Sequence, residues 1–266
     1  MLRNRHALIT GAGSGIGAAI ALTLAQHGCC LTLAGRSLDR LQQQAERLRE
    51  EVHNLALHLA PMDVSNEHAV QAAVQQAEAR LGPVNILVNN AGQAHSQPFM
   101  RTDATLWRQM LDVNLSGTFH VTQAVLPAML AAASSAGGGT PGRIVNIAST
   151  AGLMGYAYVC AYVAAKHGVV GLTKALALEL ATKNVTVNAL CPGYTETDIV
   201  QDAVRNIVAK TGQSEDQARA ALAARNPQQC LVQPRQVAHS VLWLCTPGSD
   251  ALNGQSIAID GGENAG

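Results

Sequence analysis

The segment "TGAGSGIG", Thr10 to Gly17, follows a short apolar stretch, "HALIT", and opens a pattern typical of a helix. Its glycines permit a tight turn and let backbone amides approach a pyrophosphate. The helix that follows offers unpaired N–H groups and a positive dipole end to an anion. This strand, turn and helix therefore predict a dinucleotide site in an α/β fold, although the motif alone leaves an ordinary glycine-rich turn open. The residues predicted to contact the dinucleotide here are Gly11, Ser14, Gly15, Ile16 and Gly17.

Short apolar segments alternate with helical patterns along the whole chain. Strands are predicted at 6–10, 29–35, 54–61, 85–92, 143–149, 185–193 and 255–260. Helices are predicted at 15–26, 38–52, 66–82, about 103–133, 162–182 and 234–245. Ser65 is expected to cap the third helix, and Pro127 to bend the fourth. Because the strands are continuous apolar runs, we expect helices on both faces of one doubly wound, Rossmann-type parallel sheet.

No linker divides the chain, so we expect a single domain over residues 1–266. The segment "AAASSAGGGTPG", Ala131 to Gly142, has a flexible composition, but a predicted helix and strand flank it closely. It is interpreted as a surface loop within that domain.

The overall composition excludes several classes of protein. Hydrophobic residues make up 48% of the 266 residues, and 18 basic residues balance 18 acidic ones. A neutral chain has no electrostatic reason to bind nucleic acid or an anionic membrane. No apolar run reaches the roughly 18 residues of a membrane helix, and the apolar part of the N-terminus is too short for a signal peptide.

The cysteines suit neither a disulfide framework nor a metal site. There are six, and none forms a C-x-x-C pair. Reduced thiols, no bound metal and a cytoplasmic location are therefore expected.

Further motifs follow the glycine turn in a fixed order. "NNAG" ends the fourth predicted strand, "DVNLSGTF" supplies Asn114, and "IVNIAST" ends the fifth strand with Ser149. Thirteen residues later comes Tyr162, followed by Lys166, and "CPGYTET" and "IDGG" come after the last two strands. These motifs, over almost the whole chain, resemble the short-chain dehydrogenase/reductase family.

The resemblance implies a role for each of four residues. Tyr162 would exchange a proton with the substrate oxygen, and Ser149 would hold that oxygen. Lys166 would lower the pKa of the tyrosine and bind the nicotinamide ribose, and Asn114 would support a water-linked proton relay. Alone, Ser149 could be a turn residue and Asn114 a polar group inside a helix. Further coenzyme contacts implied by the resemblance are Asp63, Val64, Asn90, Ala91, Gly92, Tyr162, Lys166, Pro192, Gly193 and Thr195.

The spacing of Tyr162 and Lys166 gives a physical reason for their proposed chemistry. Side chains four residues apart on a helix are neighbours. A lysine cation about 5 Å from the phenol, at an effective dielectric constant of about 20, favours the phenolate by roughly 3 kcal/mol. That corresponds to about two pKa units, so we expect Lys166 to bring the pKa of Tyr162 towards neutrality.

The end of the second strand, "LTLAGRS", bears on the choice of coenzyme. Gly35 stands where an NAD-preferring site usually has a carboxylate for the ribose 2′-hydroxyl. Arg36 follows, and its planar guanidinium suits a 2′-phosphate. NADP(H) is therefore favoured. NAD(H) stays possible if Arg36 stacks on adenine or lies in solvent, and Asp63 could simply start a turn.

The region from 194 to 231 is expected, from the resemblance, to form a small helical lid over the substrate, broken at Gly212. Tyr194 and His95 are candidate substrate contacts beside Ser149, whereas His167 should point away from the site. Cys160 is interpreted as packing. The lid's cations could meet an anionic carrier such as coenzyme A or an acyl carrier protein, or they could form a solvated helix face; they are Arg205, Lys210, Arg219 and Arg225.

These observations predict an NADP(H)-dependent ketone reductase or secondary-alcohol dehydrogenase, with a 3-oxoacyl or polyketide-type thioester as its substrate. An NAD-dependent dehydrogenase of a cyclic or aromatic secondary alcohol is the enzymatic alternative. A non-catalytic nucleotide-binding scaffold is the alternative of another class, but all four candidate catalytic residues are present. The resemblance also implies a homodimer or homotetramer.

Overall fold

The computed structural model describes residues 2–135 and 139–265. Its centre is a parallel sheet of seven strands in the order β3-β2-β1-β4-β5-β6-β7. The strands are β1 (His6–Thr10), β2 (Cys30–Gly35), β3 (Leu57–Pro61), β4 (Val84–Asn89), β5 (Gly142–Ile147), β6 (Val185–Pro192) and β7 (Ser256–Ile259). The predicted doubly wound parallel sheet is therefore confirmed.

Helices connect successive strands and cover both faces of the sheet. They are α1 (Gly15–Gln26), α2 (Leu38–Glu51), α3 (Glu67–Leu81), α4 (Ala104–Leu111), α5 (Gly117–Ala133), α6 (Cys160–Leu180), α7 (Asp198–Thr211), α8 (Glu215–Ala223) and α9 (Pro234–Cys245). One buried core packs α1, α2 and α9 on the sheet, with Leu24, Leu41 and Val241 among its members. The other packs α3, α5 and α6, with Val74 and Val125.

The topology places the candidate site at one edge of the sheet. Strands parallel to one another all end on the same side, and the strand order reverses between β1 and β4. Open α/β sheets bind ligands outside the carboxyl ends of the strands at such a reversal. The glycine turn follows β1, and "NNAG" closes β4, so both lie at this point.

Three local predictions need correction. Asn66, rather than Ser65, caps α3 by accepting a hydrogen bond from the amide of Ala69, because the Ser65 hydroxyl is bonded to Asp63 instead. The long helix predicted after β4 is interrupted by a π-helical turn at Asp112–Ser116. Pro127 lies inside α5, and the bend expected there stays a prediction.

The predicted loop from 131 to 142 is shorter than expected. Its first three residues belong to α5, and Gly142 begins β5. Residues 136–138 of that predicted loop lie outside the described residues.

Between β6 and α9 the chain forms α7 and α8, which Gly212 separates in a left-handed conformation, as the sequence predicts. These helices share a small apolar cluster of their own, formed by Val200, Val204, Ala218, Leu222 and Leu231.

All six cysteines are free thiols, as predicted. Within the described ranges, no group of side chains has the composition and spacing of a metal site. In the same part of the chain, no helix is both long and apolar enough to span a membrane.

Candidate active site

The turn after β1 is built so tightly that only glycine fits at its key positions. Gly11 and Gly15 have φ values of 65° and 55°, in the left-handed region that favours glycine. A Cβ on Gly17 would lie 2.2 Å from the carbonyl oxygen of Gly11. Ser14 caps α1 without a side-chain hydrogen bond, so its hydroxyl does not compete for the first amides of the helix. The turn therefore has the shape and the free donors that a pyrophosphate requires.

The turn is fixed by residues that follow β4. The Asn90 side-chain amide donates hydrogen bonds to the carbonyl oxygens of Thr10 and Gly11, at 2.9 and 3.2 Å. The Thr10 hydroxyl accepts from the backbone amides of Asn90 and Ala91, each at 2.9 Å. The Asn90 side chain therefore fixes the glycine turn in place.

Ser149, Tyr162 and Lys166 come together beside the carboxyl ends of β5 and β6. Ser149 follows β5 in a fully extended conformation, and its hydroxyl oxygen accepts from the amide of Ala151 at 3.1 Å. Tyr162 and Lys166 lie one turn apart in α6, with the lysine Nζ 5.6 Å from the centre of the tyrosine ring. The buried ammonium donates to the carbonyl oxygen of Ile147 at 2.9 Å.

The prediction that the pKa of Tyr162 is lowered towards neutrality is wrong. Desolvation raises the pKa of Tyr162 to about 12, and interaction with the Ser149 hydroxyl offsets only part of that rise. The ammonium lies over the ring and is held by a backbone carbonyl, so its charge does not overcome the desolvation. At neutral pH the phenol is therefore a proton donor.

Lys166 is itself perturbed. Burial disfavours its charged form and lowers the pKa of its ammonium to about 8. Its charge is therefore close to titrating in the physiological range, unlike that of an ordinary surface lysine.

Asn114 is fully buried within the π-helical turn between α4 and α5. Its side-chain amide donates to the carbonyl oxygens of Gln93 and Met110, both at 2.9 Å, and its oxygen accepts from the amide of Gln93. A Cβ on Gly92 would lie 2.8 Å from the Asn114 oxygen and 3.6 Å from the Lys166 Nζ. Gly92 thus allows the chain to pass between these two side chains. Single π turns inside α-helices are frequent at functional sites.

The residues proposed to select the coenzyme follow the carboxyl ends of β2 and β3. Asp63 is desolvated, which raises its pKa, but hydrogen bonds from the Ser65 hydroxyl and amide and the nearby Arg36 charge give a net lowering. Arg36 follows Gly35 and is exposed, and its charge is near enough to help lower the pKa of this carboxylate. Sequence reasoning missed Arg40, whose Cβ lies 3.0 Å from the Cβ position of Gly13 in the glycine turn.

The remaining predicted contacts also lie along the carboxyl edge. Val64 is buried, and its side chain fills the space beside Gly117. After β6, the Gly193 amide donates to the carbonyl oxygen of Ile259, and the buried Thr195 hydroxyl donates to the carbonyl oxygen of Gly193. Pro192 is the last residue of β6.

Four other residues are distributed as follows. Tyr194 is half-buried and close enough to Tyr162 to affect its pKa. His95 is exposed on the loop after β4, and His167 is exposed on α6 with its Nδ1 3.0 Å from the Val163 carbonyl oxygen. Cys160 is half-buried, with its sulfur 4.0 Å from the Thr102 hydroxyl.

Sequence reasoning did not single out Tyr156 or Glu263. The Tyr156 hydroxyl bonds to the Glu263 carboxylate and to Thr150, which follows Ser149. All four tyrosines of the chain belong to this neighbourhood: Tyr156 and Tyr158 in the loop before α6, Tyr162 within it, and Tyr194 after β6. Aromatic residues make up only 3% of the sequence, so the clustering of its tyrosines was the signal that could have identified Tyr156.

The four cations of the predicted lid differ in their surroundings, and Lys210 is exposed on α7. Arg205 pairs with Asp202, and Arg219 pairs with both oxygens of Glu196. Arg225 lies over the ring of Tyr156, with 5.0 Å between the guanidinium carbon and the ring centre.

Comparison with known proteins agrees with this geometry. Residues 5–207 match the short chain dehydrogenase family. The 3-oxoacyl-[acyl-carrier-protein] reductase of Vibrio cholerae is 34% identical over 261 residues, which cover 98% of each chain. A structure of a variant actinorhodin polyketide ketoreductase with NADPH has a TM-score of 0.91, 38% identity and 97% coverage of both chains. Levodione reductase has a TM-score of 0.92 and 29% identity, over 99% of this chain and 98% of its own.

The chain therefore belongs to the short-chain dehydrogenase family, and it is an oxidoreductase.

Proposed function

We propose that this protein is an NADP(H)-dependent reductase of 3-oxoacyl or polyketide-type thioesters. The observation that carries the proposal is the meeting of Ser149, Tyr162 and Lys166 at the edge of the sheet where the glycine turn also opens. A hydroxyl, a phenol and a buried ammonium in this arrangement can hold a carbonyl oxygen and protonate it.

The residues of the coenzyme side fit a nicotinamide dinucleotide. The cradle at Gly11, Gly15 and Gly17 would hold the pyrophosphate, since any Cβ at Gly17 would collide with the backbone. Arg36, with no carboxylate at position 35, would hold a 2′-phosphate. NADPH, when bound, supplies the hydride. The NADPH in the similar ketoreductase structure supports the choice of coenzyme.

The chain's own side chains would then handle the substrate oxygen. The Ser149 oxygen accepts from the Ala151 amide, and its hydroxyl proton, which lies near Tyr162, could donate to the carbonyl oxygen. Tyr162, whose pKa is raised to about 12, is protonated at neutral pH and donates its proton to the developing alkoxide. Lys166 stabilises the phenolate that remains, and it keeps two further N–H donors besides the one bonded to Ile147.

Asn114 is proposed to support the proton relay through Lys166. Its oxygen lies beside Gly92, which separates it from the lysine ammonium. Its amide group is fully used by two carbonyl oxygens, so the oxygen is the atom that faces this gap.

A thioester substrate is supported by two observations. The similar proteins include an acyl-carrier-protein-dependent reductase and a polyketide ketoreductase by name. Arg225 is exposed beside the Tyr156 ring, where it could meet an anionic carrier such as coenzyme A or an acyl carrier protein.

A cyclic ketone, or the corresponding secondary alcohol oxidised with NAD, is the second candidate. The edge-to-face pair of Tyr156 and Tyr194, with ring centres 6.4 Å apart, would suit a flat ring. The likeness to levodione reductase points in the same direction. In this candidate, Ser149, Tyr194 and His95 would contact the substrate.

We further propose one domain over residues 1–266, with 194–231 as its substrate lid, a cytoplasmic location, and a homodimer or homotetramer. Large apolar side chains are exposed on α4, α5, α6 and α9, and their burial in an assembly would be favourable. They are Trp107, Phe119, Leu178 and Trp243.

The test of the proposed function is consumption of NADPH with a 3-oxoacyl coenzyme A thioester and with a cyclic diketone. We expect the thioester to give the higher kcat/KM. Tyr162→Phe should lower kcat by about 10³, because a general acid typically contributes 10²- to 10⁴-fold. Equal activity of the phenylalanine variant would refute the assigned role. A higher kcat/KM for the diketone would favour the second candidate.

A further inference from the structure

The chain ends in a turn whose shape is fixed by a buried carboxylate. Asp260 accepts hydrogen bonds from the backbone amides of Gly262 and Asn264, each at 3.0 Å, and from the Asn264 side chain at 2.7 Å. Gly261 and Gly262 have φ values of 65° and 101°, which permit the reversal. We call residues 260–265 the tail turn.

The tail turn directs Glu263 towards the loop that carries Ser149. One carboxylate oxygen of Glu263 accepts from the Tyr156 hydroxyl at 2.8 Å, and the other lies 3.4 Å from the Cβ position of Gly193. Because a phenol has one proton and a carboxylate only accepts, the Thr150 hydroxyl, 2.7 Å away, must donate to the Tyr156 oxygen. A directed chain of hydrogen bonds thus runs from the neighbour of Ser149 to the tail turn.

The same turn supports the base of the lid. A Cβ on Gly261 would lie 1.9 Å from the side-chain oxygen of Asn226, so the tail turn packs directly on this residue of the lid. The preceding residue, Arg225, covers the Tyr156 ring, and Tyr194 meets the same ring edge-on. Tyr156 is therefore held by its hydroxyl from the tail turn and by its ring from the lid.

We propose that Glu263 is a positioning residue: by accepting a hydrogen bond from the Tyr156 hydroxyl, it fixes the tyrosine ring as the surface on which Arg225 seats the lid over the substrate. This inference rests on the proposed function, because it assigns the substrate-covering role to residues 194–231. It concerns residues other than the proposed catalytic ones, because Glu263 and Tyr156 would affect closure of the lid.

The proposal predicts an effect on substrate binding with little effect on chemistry. If the Tyr156 ring is released, the closed lid is less populated, and apparent substrate affinity falls in proportion. Glu263→Ala should raise KM for the preferred ketone about tenfold, as expected for losing a hydrogen bond to a charged acceptor, with kcat within about twofold. Glu263→Gln keeps an acceptor oxygen and should restore most of the affinity.

A double-mutant cycle separates positioning from general destabilisation. Tyr156→Phe alone should raise KM about as much as Glu263→Ala, and the double variant should be no worse than either, because both remove one interaction. Glu50→Ala, an exposed carboxylate on α2, is the matched control and should leave KM and kcat unchanged. Additive effects of the two variants, or failure of the glutamine to restore affinity, would overturn the proposal.

Hydrogen exchange of the lid gives a readout that needs no turnover. In Glu263→Ala, amides of residues 198–225 should exchange about tenfold faster than in the unsubstituted protein, whereas amides of β1 and α1 should not change. Unchanged exchange in the lid contradicts the proposal even if the ketone assays succeed. Faster lid exchange in a protein that reduces no ketone would support the positioning role and refute the proposed function.

Discussion

The glycine turn after β1 and the lid formed by α7 and α8 lie at the same edge of the sheet, but they are held in different ways. The turn is fixed by backbone: Gly17 approaches the Gly11 carbonyl, and Asn90 bonds directly to it. The lid has a small apolar cluster of its own, and its ion pairs, Arg219 with Glu196 and Arg40 with Asp198, join partly exposed side chains. The glycine turn has almost no room for an added atom, whereas each exposed ion pair contributes little to stability. Substitutions in the two regions should therefore differ greatly in effect.

Gly17→Ala should have the largest effect. Its Cβ would lie 2.2 Å from a backbone oxygen that cannot move without distorting the turn. We expect coenzyme affinity to fall by at least about 50-fold and the free energy of unfolding to fall by roughly 1–3 kcal/mol, as for other overpacked sites. Titration with NADPH and thermal unfolding measure these. Gly171→Ala, where no atom lies within 4 Å of the new Cβ, is the control: coenzyme affinity should not change, and the free energy of unfolding should rise by up to about 1 kcal/mol because alanine favours the helix. Unchanged coenzyme affinity in Gly17→Ala would contradict the cradle.

The pH dependence of reduction should reveal the titration of Lys166. Its pKa is lowered to about 8, so the ammonium is lost as pH rises through that value. Because the charged form stabilises the phenolate left by Tyr162, log kcat/KM should be level below about pH 8 and fall above it, by about one unit per pH unit. Lys166→Gln should remove this break and leave a low, level profile. A wild-type profile that stays level to pH 9.5 would show that the ammonium charge is not used.

Arg36→Ala should have a more selective effect. Loss of a guanidinium that binds a 2′-phosphate should raise KM for NADPH about tenfold and leave KM for NADH nearly unchanged. The ratio of kcat/KM for the two coenzymes measures this. Arg49→Ala, another exposed arginine but at the far end of α2, should leave the ratio unchanged. An unchanged ratio in Arg36→Ala would shift the assignment to Arg40 or show that NAD(H) is used equally.

Features set by local interactions could be predicted from the sequence, whereas features set by contacts between distant residues could not. The bounds of β1, α1 and α9 follow from local signals, namely an apolar run, a glycine turn and a proline at the first helical position. The raised pKa of Tyr162 could not be predicted from its spacing to Lys166, because it depends on desolvation by residues distant in sequence. The bond from Tyr156 to Glu263 joins residues 107 positions apart, and no local pattern marks it.

The N-cap of α3 and the π turn show a further limit of prediction from the sequence. Ser65 and Asn66 are both good caps, and the choice was made by Asp63, which engages the Ser65 hydroxyl. The residues of the π turn, Asp112–Ser116, fall within one continuous predicted helix, and the turn was not predicted from the sequence. Asn114 lies in the interior within this turn, which packs against α6.

Arg219→Ala should have the smallest effect and gives the sharpest test of the contrast. Its partner Glu196 follows β6, and both side chains are about one-third exposed, so solvent screens the pair. We expect KM for the ketone to change by less than about threefold and coenzyme affinity not to change. Glu196→Ala should match it, and the double variant should equal either one, because each removes the same ion pair. A change in KM of tenfold or more would show that this exposed pair, and not the Tyr156–Glu263 contact alone, holds the lid, and the comparison between a rigid turn and a weakly held lid would then fail.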